Sequence, residues 1–246
     1  MKKLYNLQRI GNLLFNNLHP IYLRLYGLYK LIIDYQDRSL IKKYVTPGAI
    51  VVDIGANIGI YTKFLSKVAG NKGKVHAFEP SPDNFLRLKA YTQKLSNVVI
   101  HQKAIGKTTG QLKLYVSYDL NVDHRTYPTD DVRKIKTVDC IRLDDYFDAQ
   151  RRVDFIKMDI QGFEYQAFLG MERIIAENRD ILILFEFWPI GLKAAGTNPD
   201  KLLELLRDSG FNLYVIRKRA LTEFSRSLIK DDHTYINVLA ARCRLI

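Results

Sequence analysis

Val51-Val52-Asp53-Ile54-Gly55-Ala56-Asn57-Ile58-Gly59-Ile60-Tyr61-Thr62 is the stretch from which the fold follows. An apolar run of strand character enters a turn carrying two glycines and passes into residues of helical spacing. Such a turn lets backbone approach a ligand closely at the carboxyl end of a parallel strand. The spacing is G-A-N-I-G, and Asn57 stands where a dinucleotide fingerprint places its second glycine. A pyrophosphate cradle is therefore disfavoured, while a nucleoside pocket is retained.

Outward from this stretch, short apolar runs alternate with helical patterns, the mark of βαβ units and a parallel sheet. Candidate strands are Ile50–Ile54, Lys74–Phe78, Val98–Ala104, Phe155–Asp159, Ile181–Glu186, Phe211–Ile216 and Tyr235–Ala241. Helical patterns fall at Ile58–Val68, Ser81–Leu95, Phe163–Glu177 and Asp200–Ser209. Residues 110–146 break the alternation: Gln111–Tyr118 and Lys136–Leu143 read as an inserted β-hairpin around a polar loop. The expected fold is α/β, a seven-stranded, mainly parallel Rossmann-like sheet with helices on both faces. Residues 1–46 form an N-terminal helical extension and 47–246 the main domain.

The chain has 246 residues, 47% hydrophobic and 26% charged, which excludes disorder and fibrous or disulfide-built scaffolds. Lys and Arg total 38 against 26 Asp and Glu, a net charge of +12 that favours an anionic partner. Cys140 and Cys243 stand far apart and outside any zinc spacing, so a reducing, cytoplasmic setting is expected. Eight Lys or Arg against Asp34 and Asp37 fall in residues 1–46. Polar residues from Asn6 to Asn17 interrupt any signal-peptide core. The run Ile21–Ile33 suits a helix packed over the domain, or one lying at a membrane interface, which would make the protein peripheral to a bilayer.

A second strand, Val75-His76-Ala77-Phe78, ends in Glu79-Pro80-Ser81 and presents a carboxylate where both hydroxyls of a ribose can donate to it. Together with Asp53 at the end of the first strand, and without a pyrophosphate loop, this fits a nucleoside bearing positive charge. S-adenosylmethionine, with its sulfonium and ammonium groups, is such a ligand.

The sequence resembles the FkbM-type S-adenosylmethionine-dependent methyltransferases. The likeness runs through Asp53–Gly59, Phe78-Glu79-Pro80, Asn97-Val98, Ala104-Ile105-Gly106, Leu143-Asp144-Asp145, Lys157-Met158-Asp159-Ile160-Gln161-Gly162-Phe163-Glu164 and Phe185-Glu186-Phe187. The resemblance implies O-methyl transfer to a hydroxyl of a sugar, glycan or secondary metabolite. It also implies that Gly55, Ala56, Asn57 and Gly59 line the methionine end, that Glu79 holds the ribose, and that residues around Ser81 and Lys103-Ala104 border the adenine. Tyr61, Thr62 and Pro80 are counted with this pocket. The family usually carries Glu where this chain has Gln161.

Deprotonating a sugar hydroxyl needs a base or a metal. Asp159 and Glu186 end adjacent predicted strands and can face one crevice, and Glu164 follows in the first turn of a helix. One of these carboxylates is the expected base, or Asp159 and Glu186 bind Mg²⁺. His124 and His233 are alternative bases. Trp188, Tyr115, Tyr118 and Tyr127 offer flat faces to a sugar ring. The expected acceptor is a small molecule or glycan, including anionic or lipid-linked ones. Nucleic-acid methylation is disfavoured by the lack of an Asn/Asp-Pro-Pro-aromatic segment, a dehydrogenase by the glycine spacing, and an inactive membrane scaffold by the intact Asp53, Gly55, Gly59 and Glu79.

Overall fold

A computed structural model describes residues 19–117, 123–129, 131–217 and 220–246. The expectations for residues 1–18 and for Tyr118 lie outside these. Two helices, α1 (His19–Ile33) and α2 (Tyr35–Tyr44), precede the sheet. There follow β1 (Ile50–Ile54), α3 (Ile60–Ala69), β2 (Lys74–Phe78), α4 (Pro82–Thr92), β3 (Val98–His101), β4 (Ala104–Ile105), β5 (Gly110–Ser117) and β6 (Arg133–Ile141). The second half contains α5 (Leu143–Tyr146), β7 (Phe155–Met158), α6 (Glu164–Leu169), α7 (Glu172–Glu177), β8 (Leu182–Phe187), α8 (Pro189–Ala194), α9 (Pro199–Asp208), β9 (Asn212–Arg217), β10 (Ala220–Glu223) and β11 (Ile236–Ala241).

The main sheet has the order β10-β9-β11-β8-β7-β1-β2-β3. Strands β3, β2, β1, β7 and β8 pair in parallel, and β11 runs antiparallel to both β8 and β9. The described sheet therefore has eight strands where seven are expected. The extra strand, β10, pairs antiparallel with β9 and contains only Ala-Leu-Thr-Glu, too short and mixed to register as a strand in the sequence. The inserted hairpin is present as β5 and β6, and β4 joins it in a three-stranded sheet, so the expected strand Val98–Ala104 is divided between two sheets. The expected helix Phe163–Glu177 is likewise divided. Gly170 passes so close to Gly106 that a Cβ would lie 2.0 Å from its carbonyl oxygen, and the helix ends there before α7 starts.

Strand alternation sends successive residues to two cores. Val52, Ile54, Ile156, Met158, Ile183 and Phe185 meet α6, α7 and α9 through Phe168, Ile174 and Leu203. Val51, Phe155, Leu182 and Leu184 meet α2 and α3 through Leu40, Ile41, Leu65 and Ala69. Helix α2 is thus a wall of the core, and part of the N-terminal extension is packed into the sheet it precedes.

Candidate functional site

Strand register builds the site. Ile54 lies opposite Phe78 on β2 and opposite Met158 on β7, and Met158 lies opposite Phe185 on β8. The next residues are Gly55, Glu79, Asp159 and Glu186, which therefore emerge together at the carboxyl edge of four parallel strands. Crevices form at this edge because the loops leave it in different directions.

At the β1 turn, Gly55 has φ +77°, and a Cβ there would stand 2.0 Å from the Asp159 carbonyl oxygen. Only glycine meets both demands. The Gly55 and Ala56 amides each donate to the Phe78 carbonyl at 3.0 Å, and Gly59 donates to Ala56 at 2.9 Å, closing the turn. Asn57 takes φ +50°, unusual for a residue with a side chain, and its amide donates to Glu79 Oε2 at 2.8 Å.

The Ser81 amide donates to the other oxygen of Glu79 at 2.9 Å. Burial pushes the Glu79 carboxyl up to about 7 against the pull of these two amides. Each oxygen takes one amide and keeps a lone pair, and the buried Ser81 hydroxyl beside it has no partner among the described residues. A carboxyl flanked by an unpartnered hydroxyl, beside a glycine turn without a side chain, fits the ribose of a nucleoside. Ala104, expected at the adenine, is buried in β4, where it pairs with Cys140.

Asp53 is fully enclosed. Its Oδ2 accepts from Thr62 Oγ1 at 2.7 Å, and its Oδ1 lies 3.8 Å from Lys157 Nζ. The carboxylate thereby fixes the start of α3 and the lysine instead of opening toward the crevice. Lys157 Nζ also stands 3.7 Å from Asp159 Oδ2 and 5.1 Å from the centre of the Tyr61 ring. Burial would lower the lysine, but Asp159 and Asp53 outweigh it and keep the ammonium charged. Arg38 of α2 and Lys30 of α1 approach the same Tyr61 ring at 5.1 and 5.7 Å. The extension therefore reaches the site, which sequence reasoning missed. Only the pairing of Lys157 with Asp159 had a signal, the spacing Lys157-x-Asp159, since residues two apart in extended chain share a face.

Asp159 and Glu186 are joined by the residue that departs from the family pattern. Gln161 Nε2 donates to Asp159 Oδ1 at 3.0 Å and to Glu186 Oε2 at 3.2 Å. Gln161 holds φ +56°, and its carbonyl accepts from the Tyr127 hydroxyl at 2.7 Å, so the loop between β5 and β6 pins this one. Burial tends to raise Asp159, but Lys157, then Lys30 and the Gln161 amide, hold it below the ordinary carboxyl range. Burial, followed by the charges of Asp159 and Glu164, drives Glu186 well above that range. Two carboxyls of one crevice are thus driven apart, Asp159 downward and Glu186 upward.

Glu164 is fully buried, and its Oε1 accepts from the amides of Ile160 at 3.1 Å and Gly162 at 3.3 Å. It braces the loop that carries Gln161. Burial pushes it up to about 7. His124 is in the insert, pushed down to about 4 by burial, with Nδ1 accepting from the Ser117 amide at 3.3 Å. Arg125 stands 5.1 Å over the ring of Trp188 and 5.8 Å over that of Tyr127, bringing the expected aromatic faces together beside Gln161.

The donor set does not fit Mg²⁺. Gln161 directs N–H groups at both carboxyls where a cation needs oxygen, and among the described residues no three His, Cys, Asp or Glu side chains gather as ligands.

The sequence profile of the methyltransferase FkbM domain matches residues 53–213, more than half of the chain. Hexuronic acid methyltransferase AglP of Haloferax volcanii is 24% identical over 162 residues, covering 65% of this chain and 62% of that protein, less than two thirds of its length. Methyltransferase sdnD of Sordaria araneosa is 25% identical over 199 residues, covering 66% of this chain and 73% of its own. An rRNA methylase of Streptococcus thermophilus shares the fold at a TM-score of 0.50, with 12% identity over 85% of this chain and 95% of its own.

Proposed function

The chain belongs to the FkbM family of S-adenosylmethionine-dependent methyltransferases, and on that premise we propose that it methylates a hydroxyl of a sugar, glycan or secondary metabolite, with Asp159 as the base. The observation that carries this reading is the geometry at the crevice: Asp159 Oδ2 stands 3.7 Å from Lys157 Nζ, and the Gln161 amide donates to both Asp159 and Glu186. When bound, S-adenosylmethionine supplies an electrophilic methyl carbon on a sulfonium and leaves as a neutral thioether. Gly55, Ala56, Asn57 and Gly59 shape the turn that would receive its methionine end, and Glu79 with Ser81 would take the ribose hydroxyls.

The side chain of Asp159 is 39% exposed, so an acceptor hydroxyl can reach it. Oδ1 is taken by Gln161, which leaves Oδ2, beside Lys157, to accept the hydroxyl proton. A base at this position aligns the oxygen as well as deprotonating it. Trp188, partly exposed beneath Arg125, stands at this edge, and the relative named for hexuronic acid supports a sugar acceptor. Asp159→Asn preserves shape and removes the base. Methyl transfer to a glycan acceptor should fall by about 10²-fold or more while S-adenosylhomocysteine binding persists, and full turnover in this variant removes Asp159 from the reaction.

A further inference from the structure

Helix α1 is apolar on two faces, one packed and one exposed. Inward, Leu23 and Tyr26 pack on Ile58 and Ile60, and Lys30 pairs with Asp34 at 2.7 Å. Outward, Leu25, Leu28, Tyr29 and Ile32 are 53%, 59%, 54% and 75% exposed. Their spacing of i, i+3, i+4 and i+7 makes one continuous stripe, which exposed Ile33 and Tyr35 prolong. Among the described residues the other exposed large apolar side chains beyond residue 35 are scattered, at Leu86, Val132, Ile135, Tyr235 and Ile246. Packing over the sheet requires only the inner stripe and leaves the outer one unexplained.

Charge indicates what covers it. Residues 1–46 carry eight Lys or Arg and two acids. Both acids are engaged, Asp34 with Lys30 and Asp37 with the Asn237 amide at 2.6 Å. Lys42 and Lys43 of α2 are exposed, Lys42 over the Phe64 ring and Lys43 over that of Tyr44. A second copy seated on α1 by a two-fold axis would set two such basic segments against each other. An anionic bilayer is attracted by the charge, accepts the apolar stripe and places Tyr29 and Tyr35 at headgroup level, where tyrosine is favoured. Among the described residues no helix is long and apolar enough to cross a membrane. We propose that α1, with Lys42 and Lys43, docks this protein flat on an anionic lipid bilayer, the stripe lying at the boundary between headgroups and acyl chains.

The test is co-sedimentation of the full chain with phosphatidylcholine vesicles with and without about 30 mol% phosphatidylserine. Most of the protein should sediment with the anionic vesicles and little with the neutral ones. Leu28→Ser/Ile32→Ser should lower binding about tenfold or more, since two side chains of this size lose their apolar transfer. Lys42→Gln/Lys43→Gln, a second variant on exposed positions, should weaken binding and flatten its salt dependence. A wild-type chain that does not sediment, or wild type and both variants sedimenting alike, overturns the proposal. A mass of two chains in solution that falls to one in Leu28→Ser/Ile32→Ser also overturns it, because a second copy then covers the stripe. The readout is binding alone, so it stands apart from the methyl-transfer reading.

Discussion

Replacing Gln161 by Glu changes one N–H donor into a carboxylate at the point where Asp159 and Glu186 meet. The hydrogen bond that the Gln161 amide donates to Asp159, 3.0 Å long, is charge-assisted. Because the Asp159 side chain is 39% exposed, its loss belongs at the low end of the range for such bonds, about 1.5 kcal/mol. A new negative charge in the amide's place adds repulsion of similar size once water screens it, for a total of about 1.5–3 kcal/mol. One pKa unit corresponds to about 1.4 kcal/mol, so the acid limb of kcat/KM should move up by about one to two pH units. The sign follows from the ionised form being the active one. Anything that raises Asp159 postpones activity to higher pH, and the rate at alkaline pH should approach that of the wild type. The limb belongs to the coupled pair and not to either carboxyl alone. The assay is methyl transfer from labelled S-adenosylmethionine across pH. An acid limb that stays in place in Gln161→Glu refutes the amide bridge as the device that sets the protonation of the pair.

Lys157→Met should destabilise the fold by about 3–5 kcal/mol, read from the urea midpoint, because it leaves the fully enclosed Asp53 carboxylate without its cation. Glu79 and Glu164 both hold their protons up to about 7 in the folded chain and ionise near the ordinary 4.5 when unfolded. Between those values the folded state binds more protons, so stability is fully present below about 4.5 and is lost as pH rises through 7. In Glu164→Gln this slope should become shallower in urea titrations without ligand, and an unchanged slope would show that Glu164 is not a source of it. Gly55→Ala forces either a strained φ or a shift of the Asp159 carbonyl. It should cost more than about 1 kcal/mol in stability and weaken S-adenosylhomocysteine binding.

Five parallel strands were legible because each is a short apolar run stopped by a turn residue, and β1 and β2 have the expected limits to the residue. The carboxyl-edge cluster was legible for the same reason: once strand ends are located, parallel register brings Gly55, Glu79, Asp159 and Glu186 together. What was not legible came from contacts between distant segments. The helix 163–177 is broken where Gly170 meets Gly106, 64 residues earlier, and no local pattern marks that approach. Glu164 sits where a catalytic carboxylate or a loop brace reads identically in sequence, and only the amides of Ile160 and Gly162 distinguish them. The meeting of Lys30 and Arg38 with Tyr61 depends on how α1 and α2 fold back, which composition does not encode. Gln161 was visible as a departure from the family, but its work as a bridge required both carboxyls in place.

The central claim, that the β1 turn and Glu79 form the S-adenosylmethionine pocket, is tested most directly by isothermal titration of the full chain with S-adenosylhomocysteine, beside Glu79→Ala and with NADH as control. Micromolar binding, no response to NADH, and, titrated above about pH 7 where Glu79 is ionised, an affinity loss in Glu79→Ala of about 1.5–3 kcal/mol, the worth of a charge-assisted contact, is the predicted result. Absence of binding by the wild-type chain, or equal affinity in Glu79→Ala, would contradict the assignment.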